Sequence, residues 1–204
     1  YGEVYAPDSF AAAGGTNLET MVMLKDASQR VLVGGLFTTV EGQAGYQGVA
    51  RFKTDDSLDT AFKVMTDDFV KAIAVQQDGK ILIGGQFHWV RPTGSTTNTT
   101  IWGVARLNAD GTLDSTFKNA PAGKVKSNHN VRGIAVQADG KIIIGGYFTL
   151  IDGVARNYLA RLNADGSLDT SFTPAVNGYV EDVKLDASGN ILISGWFTQV
   201  QGAS

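Results

Sequence analysis

The side chains best suited to chemistry gather in two insertions that interrupt an otherwise regular pattern. Phe87 to Val104 spans 17 positions where Phe37 to Val49 spans 12, and it carries His88, Trp89, Arg91 and Trp102. Phe117 to Val131 spans 14 where Phe62 to Val70 spans 8, and it carries Lys124, Lys126 and His129. Aromatic planes beside cationic donors suit a contact surface for a protein, or for a sugar ring that stacks on Trp. A structural role competes with that reading. Trp89 and Trp102 could pin the long loop to the sheet beneath it, while His88 stands where the other copies have Thr.

A second set recurs. Arg51, Arg106 and Arg161 are followed eight residues later by Asp59, Asp114 and Asp169. Catalysis does not need three copies of one couple, so these are expected to be ion pairs or turn caps used once per repeat.

Familiar catalytic patterns are missing from the sequence: there is no Gly-x-Ser-x-Gly elbow, phosphate loop or HExxH. The two histidines, 41 residues apart, make a poor metal set, and the absence of cysteine excludes disulfides and thiolate sites. Asn163, Asp165, Ser167 and Asp169 offer oxygen donors, yet Gly166 stands fourth where a calcium loop of the EF-hand type requires Gly at the sixth position. Asx turns account for the same residues. No metal and no cofactor is expected. Asn98-Thr99-Thr100 forms a glycosylation sequon within the first insertion.

A net charge of -3 with 18% charged residues argues against a general nucleic-acid binder, which needs clustered Lys and Arg. No apolar run approaches the roughly 18 residues of a membrane-spanning helix. Low charge and 25 glycines among many Thr and Asn lean towards a secreted or surface-displayed β protein.

What must position these residues is a repeat. Phe37, Phe87, Phe148 and Phe197 each follow a Gly-x or Gly-Gly-x step at separations of 50, 61 and 49. Phe10, Phe62, Phe117 and Phe172 close the units. A period of 40 to 60 residues belongs to solenoids, arrays and propellers. Inside a unit the apolar positions alternate with the period of a strand, as in Ile73 and Val75 or Ile134 and Val136. QQDGK and QADGK then supply the Asp-Gly pair of a tight hairpin. The second strand, such as Ile142-Ile143-Ile144, is apolar at successive positions and should be covered on both faces. Gly84 and Gly145 on it are expected to sit where a side chain would strike the neighbouring unit. Val49-Ala50-Arg51-Phe52 and its copies form a third strand, and NADG turns the chain into a short fourth.

Four short antiparallel strands repeated around an axis describe an all-β fold, a β-propeller of four-stranded blades. The chain divides as a single domain, 1–204, with units at 11–62, 63–117, 118–172 and an incomplete 173–204, and with 1–10 as the tail of a preceding unit. Three complete blades with partial blades at both ends suggest an excerpt of a longer array. In such a blade the loops after strands two and four share a face, which should bring the two insertions together.

GVARLNADGTLDSTF and VRGIAVQADGKIIIGGYFT resemble the delta-60 repeat, a β-propeller repeat of large bacterial surface and secreted proteins. The resemblance implies a propeller fold and an extracellular setting, and it brings no catalytic motif. The function expected is a non-catalytic structural, adhesion or protein-binding scaffold with a protein or glycan partner. The alternatives are a carbohydrate-binding propeller that uses the Trp-rich loops, and a metal-dependent hydrolase in a central channel, for which Asp182 and Lys184 are the only unusual residues on a first strand.

Overall fold

The computed structural model describes residues 16–118 and 130–201, and every regular element among them is a strand. None is a helix long and apolar enough to cross a membrane.

Each unit opens with a hairpin. The first strands are Thr20–Lys25, Val70–Val75, Val131–Val136 and Tyr179–Leu185. They pair antiparallel with the second strands Val31–Gly35, Ile81–Gly85, Ile142–Gly146 and Ile191–Trp196. The Asp-Gly turns close as the sequence requires: Gly79 and Gly140 adopt φ of 81° and 83°, and the Asp78 carboxylate accepts the Lys80 amide at 3.1 Å. The second strand then takes a third on its other edge, Val49–Phe52, Val104–Leu107 or Leu159–Leu162.

The expected fourth strand shrinks to one bridged residue. Leu58, Leu113 and Leu168 pair singly with Phe52, Leu107 and Leu162. The cause lies one residue further on. Asp59, Asp114 and Asp169 turn their carboxylates onto the amides of Ala61, Thr116 and Ser171, and these Asx turns curl the chain away before a second pair can form. The main sheets of the first three units are therefore three-stranded, and that of the last described unit has two strands.

Between second and third strands lies a small sheet. In units one and three it is a two-residue hairpin, Thr39–Val40 with Gln43–Ala44 and Leu150–Ile151 with Val154–Ala155. In unit two the insertion lengthens it, so that Trp89–Arg91 pairs with Thr99–Thr100 on one side and with Met65–Thr66 on the other. The segment leading into the first strand thus meets the loop leaving the second, at one end of the unit.

The core sits between units. First strands stand side by side in chain order, Thr20–Lys25 against Val70–Val75, then Val131–Val136, then Tyr179–Leu185. One apolar cluster joins Leu32 and Val49 of unit one to Val70, Ile73 and Ile83 of unit two, and another joins Leu82 and Val104 to Val131, Ile134 and Ile144. Glycine allows this approach. A Cβ on Gly84 would lie 2.8 Å from Ile134 and 2.9 Å from Val131, and one on Gly145 would lie 2.6 Å from Val183. Unit four has Ser194 at the matching position, and its Leu192 is 53% exposed where Leu32, Leu82 and Ile143 are fully buried.

Candidate functional site

The repeated Arg–Asp couples form as ion pairs. Nε of Arg51 lies 2.8 Å from Asp59, Nε of Arg106 lies 2.8 Å from Asp114, and Nε of Arg161 lies 2.9 Å from Asp169. Each guanidinium also covers the closing Phe of its own unit, at 4.2 Å for Phe62, 4.4 Å for Phe117 and 4.6 Å for Phe172. Lys80 and Lys141 add a second cation to Asp114 and Asp169. Burial alone would raise the Asp114 carboxyl, but hydrogen bonds from Thr116, Lys80 and Arg106 outweigh it and hold the group well below the carboxylate range. At Asp169 the hydrogen bonds of Ser171 and Lys141 do the same. Carboxylates held this firmly ionised have no proton to give near neutral pH.

The NADG oxygens are engaged locally. Asp165 accepts both the amide and the hydroxyl of Ser167, which lowers its carboxyl, while Asn163 donates to that same hydroxyl. On the first strand of unit four, Asp182 accepts the Val183 amide and lies 3.3 Å from Lys184.

The unit-two hairpin gathers four of the seven residues expected at the contact surface. His88 stands edge-on to Trp102 at 5.2 Å, Arg91 lies 5.8 Å from the Trp89 ring, and its Nε donates to Asn98 at 2.8 Å. Asp67 fixes the start of this hairpin by accepting the amides of His88 and Trp89 at 2.7 and 3.1 Å, and its second oxygen lies 3.2 Å from the His88 ring. In units one and four the same latch is uncharged: Asn17 accepts the amides of Thr38 and Thr39, and Asn177 those of Thr198 and Gln199. His88 and Asp67 are thus a matched replacement of Thr and Asn. Lys124, Lys126 and His129 lie outside the described residues.

A second cluster, at the seam of units three and four, went unnoticed in the sequence. The start of every first strand carries a β-bulge, falling between Thr20 and Val22, between Val70 and Ala72, between Val131 and Gly133, and between Val180 and Asp182. The extra residues are Met21, Lys71, Arg132 and Glu181. A bulge re-aims its side chain out of the sheet. Arg132 and the Tyr147 hydroxyl both donate to the Glu181 carboxylate, and the Arg132 guanidinium lies 4.5 Å over the Tyr147 ring. Tyr147 stacks on Tyr179 at 4.2 Å, and Tyr158 meets Tyr179 edge-on at 5.3 Å. The hydrogen bond to Glu181 and then burial raise the Tyr147 phenol. At Glu181 burial pushes upward, yet the bonds from Tyr147 and Arg132, with the charge of Lys71 beyond them, bring the carboxyl below its usual value.

Tyr158 occupies a glycine's place. Its φ is 67°, beside 80° for Gly48 and 75° for Gly103, and all three carbonyls accept an amide from the end of the second strand. A left-handed backbone costs a residue with a Cβ about 1–2 kcal/mol. Nothing in the backbone hydrogen bonding needs a side chain there. The signal was present as RNYLARL set beside YQGVARF and IWGVARL, a substitution at the one position where the fold favours glycine. This cluster occupies the same end of the units as the long hairpin, since that end carries both the start of the first strand and the exit of the second.

No curated protein matches the chain. A family model described as "Domain of unknown function (DUF5122) beta-propeller" matches residues 30–62, 76–117 and 137–172, which is more than half of the sequence. The last two matches each run from the first hairpin turn to the closing Phe, so the recurrent pattern is the family's own. The chain belongs to this β-propeller family.

Proposed function

We propose that the chain is a non-catalytic propeller module of the delta-60 type, displayed outside the cell, that binds a partner through the end of its units bearing the long hairpin. The units are its blades, with Leu58, Leu113 and Leu168 as remnants of a fourth strand. One observation carries this reading: recurrent positions hold the seams together, whereas the lengthened unit-two hairpin and the cluster of Tyr147, Tyr158 and Tyr179, neither of which the seams need, stand at the same end of the units. Residues that the fold does not need to repeat are free to contact something else.

The test pairs binding with turnover. Purified chain is applied to arrayed surface proteins and glycans, and separately to lactone and ester substrates with added divalent metal. The expected result is binding that weakens in Trp102→Ala or Arg91→Ala, with no turnover. Metal-dependent hydrolysis abolished by Asp182→Asn would overturn the reading and favour a channel enzyme. Carbohydrate binding is the second reading, favoured by the three tyrosines at the seam of units three and four.

A further inference from the structure

We infer that the outer edge of Ile191–Trp196, the second strand of unit four, receives an extended segment of another polypeptide, of the kind that forms the third strand in units one to three. Sequence defines the partner: Val or Leu, then Ala, then Arg, then Phe or Leu. This surface is apart from the long hairpin and goes beyond the function proposed above.

An open edge is the first reason. The second strands of units one, two and three each bond a third strand, Val49–Phe52, Val104–Leu107 or Leu159–Leu162, and each is buried at every residue. Among the described residues, Ile191–Trp196 pairs only with Tyr179–Leu185. Leu192, Ser194, Gly195 and Trp196 are exposed, the last at 78%. Folded proteins guard such an edge with charge, with proline or with a cover. This strand reads Ile-Leu-Ile-Ser-Gly-Trp and has neither charge nor proline. A cover is what remains, and a sheet edge takes one by main-chain hydrogen bonding to an added strand.

Register is the second, because it says which strand fits. In unit three Ile142 faces Leu162, Ile143 faces Arg161, Ile144 faces Ala160 and Gly145 faces Leu159. Carried to unit four, the same pairing sets Ile191 opposite Phe or Leu, Leu192 opposite Arg, Ile193 opposite Ala and Ser194 opposite Val or Leu. Such a segment brings its own clasp: within residues 159–172, Arg161 pairs with Asp169 and covers Phe172, and Asp165 with Ser167 closes the turn between them. The three copies of this strand in the chain are already engaged, so the segment comes from another molecule.

The face beside the edge limits the guest to a strand. Gly34, Gly84 and Gly145 leave no room for a Cβ beside the first strand of the next unit, and unit four has Ser194 there. Asp182 and Lys184 stand where Ala72 and Ala74 of unit two, and Gly133 and Ala135 of unit three, meet the following unit. A whole further unit joined like the others would strike Ser194 and bury both charges. A lone strand avoids this. Lys184 lies across the hairpin from Leu192, and Asp182 at 3.3 Å offsets its charge towards the incoming Arg.

Calorimetric titration of the full chain with a synthetic peptide of residues 159–172 tests this, beside a peptide of the same composition in scrambled order and one carrying Arg161→Ala. The first should saturate one site, the scrambled peptide should not bind, and the Arg161→Ala peptide should bind about tenfold more weakly. Amide hydrogen exchange in Ile191–Trp196 should slow when the peptide is bound. Leu192→Lys alters an exposed position, so the melting temperature should hold while affinity falls about tenfold, because like charges then stand directly opposite across the new pair. No binding, equal binding of the scrambled peptide, or binding without slower exchange in that strand overturns the site. So does a chain that dimerises with concentration and protects the same amides, since a second copy would then be the occupant. None of these results touches partner binding that depends on Trp102.

Discussion

Nη1 of Arg106 donates to the carbonyl of Ala164 at 2.6 Å, bonding the third strand of unit two to the NADG turn of unit three. Arg51 reaches the Ala109 carbonyl in the same way, one seam earlier. Each of these arginines holds its own Asp, covers its own Phe and ties down the next unit, so a single side chain closes both a unit and a seam. Arg161 grips only Asp169 and Phe172 among the described residues, and its side chain is 20% exposed against 7% for Arg106.

Arg106→Lys should therefore cost more than Arg161→Lys. Lysine lacks the planar fork and cannot serve Asp114 and Ala164 together. The expected loss is about 2–3 kcal/mol at Arg106, the scale of hydrogen bonds made by a charged donor, and less than half of that at Arg161. Urea unfolding of the two variants measures it, and equal losses would show that the seam bond contributes nothing.

The couples themselves should interact. A double-mutant cycle on Arg161 and Asp169 is expected to return a coupling near 1 kcal/mol, and the more buried Arg106 and Asp114 a larger one. Zero at both would remove the ion-pair reading.

Gly145→Ala should destabilise by about 1–3 kcal/mol, since the added methyl meets Val180 and Val183 of the next unit. Thermal melting reads this directly. Gly145 lies outside the positive-φ region, so its loss is steric; Gly153→Ala, which adds a Cβ at positive φ with no neighbour to strike, shows the separate cost of backbone strain alone.

Acid should weaken the fold through Asp114 and Asp169. Both carboxyls are held below their ordinary value of 3.8 in the folded protein, so the stability they contribute is present above about pH 4 and is lost as pH falls further. Stability curves between pH 5 and pH 2 should be shallower in Asp114→Asn and Asp169→Asn than in the parent. A parallel slope would mean that other groups set the acid limit.

Trp102→Ala separates the two roles of the long hairpin. If the ring pins the hairpin through His88, melting falls by about 1 kcal/mol equivalent and partner binding is unchanged. Under the proposed function binding weakens first, with a melting curve close to the parent's.

Architecture was legible because it depends on residues that recur. Alternating Ile73 and Val75, the Asp-Gly turns and the collision at Gly84 and Gly145 all follow from local rules that each copy restates. The length of the fourth strand was not, since Asp59 and its copies can lengthen a strand or end it, and only the fold of their carboxylates onto the following amides decides which. The tyrosine cluster escaped for a different reason. Arg132 and Tyr147 belong to unit three and Glu181 to unit four, 49 and 34 residues further on, and a bulge that shifts register by one residue leaves no mark in an alternating pattern.

Because the hydrophobic interior lies across boundaries, every join is made of like parts: a glycine, two β-branched side chains that enter beside it (Val70 and Ile73, Val131 and Ile134, Val180 and Val183), and in the first two joins an arginine that crosses over. Splicing Phe62 directly to Lys118 would bring Gly34 against Val131 and Ile134 in place of Val70 and Ile73, which offer matching shapes. Recombination among such stretches changes how many of them a gene encodes without asking any surviving surface to find a new fit.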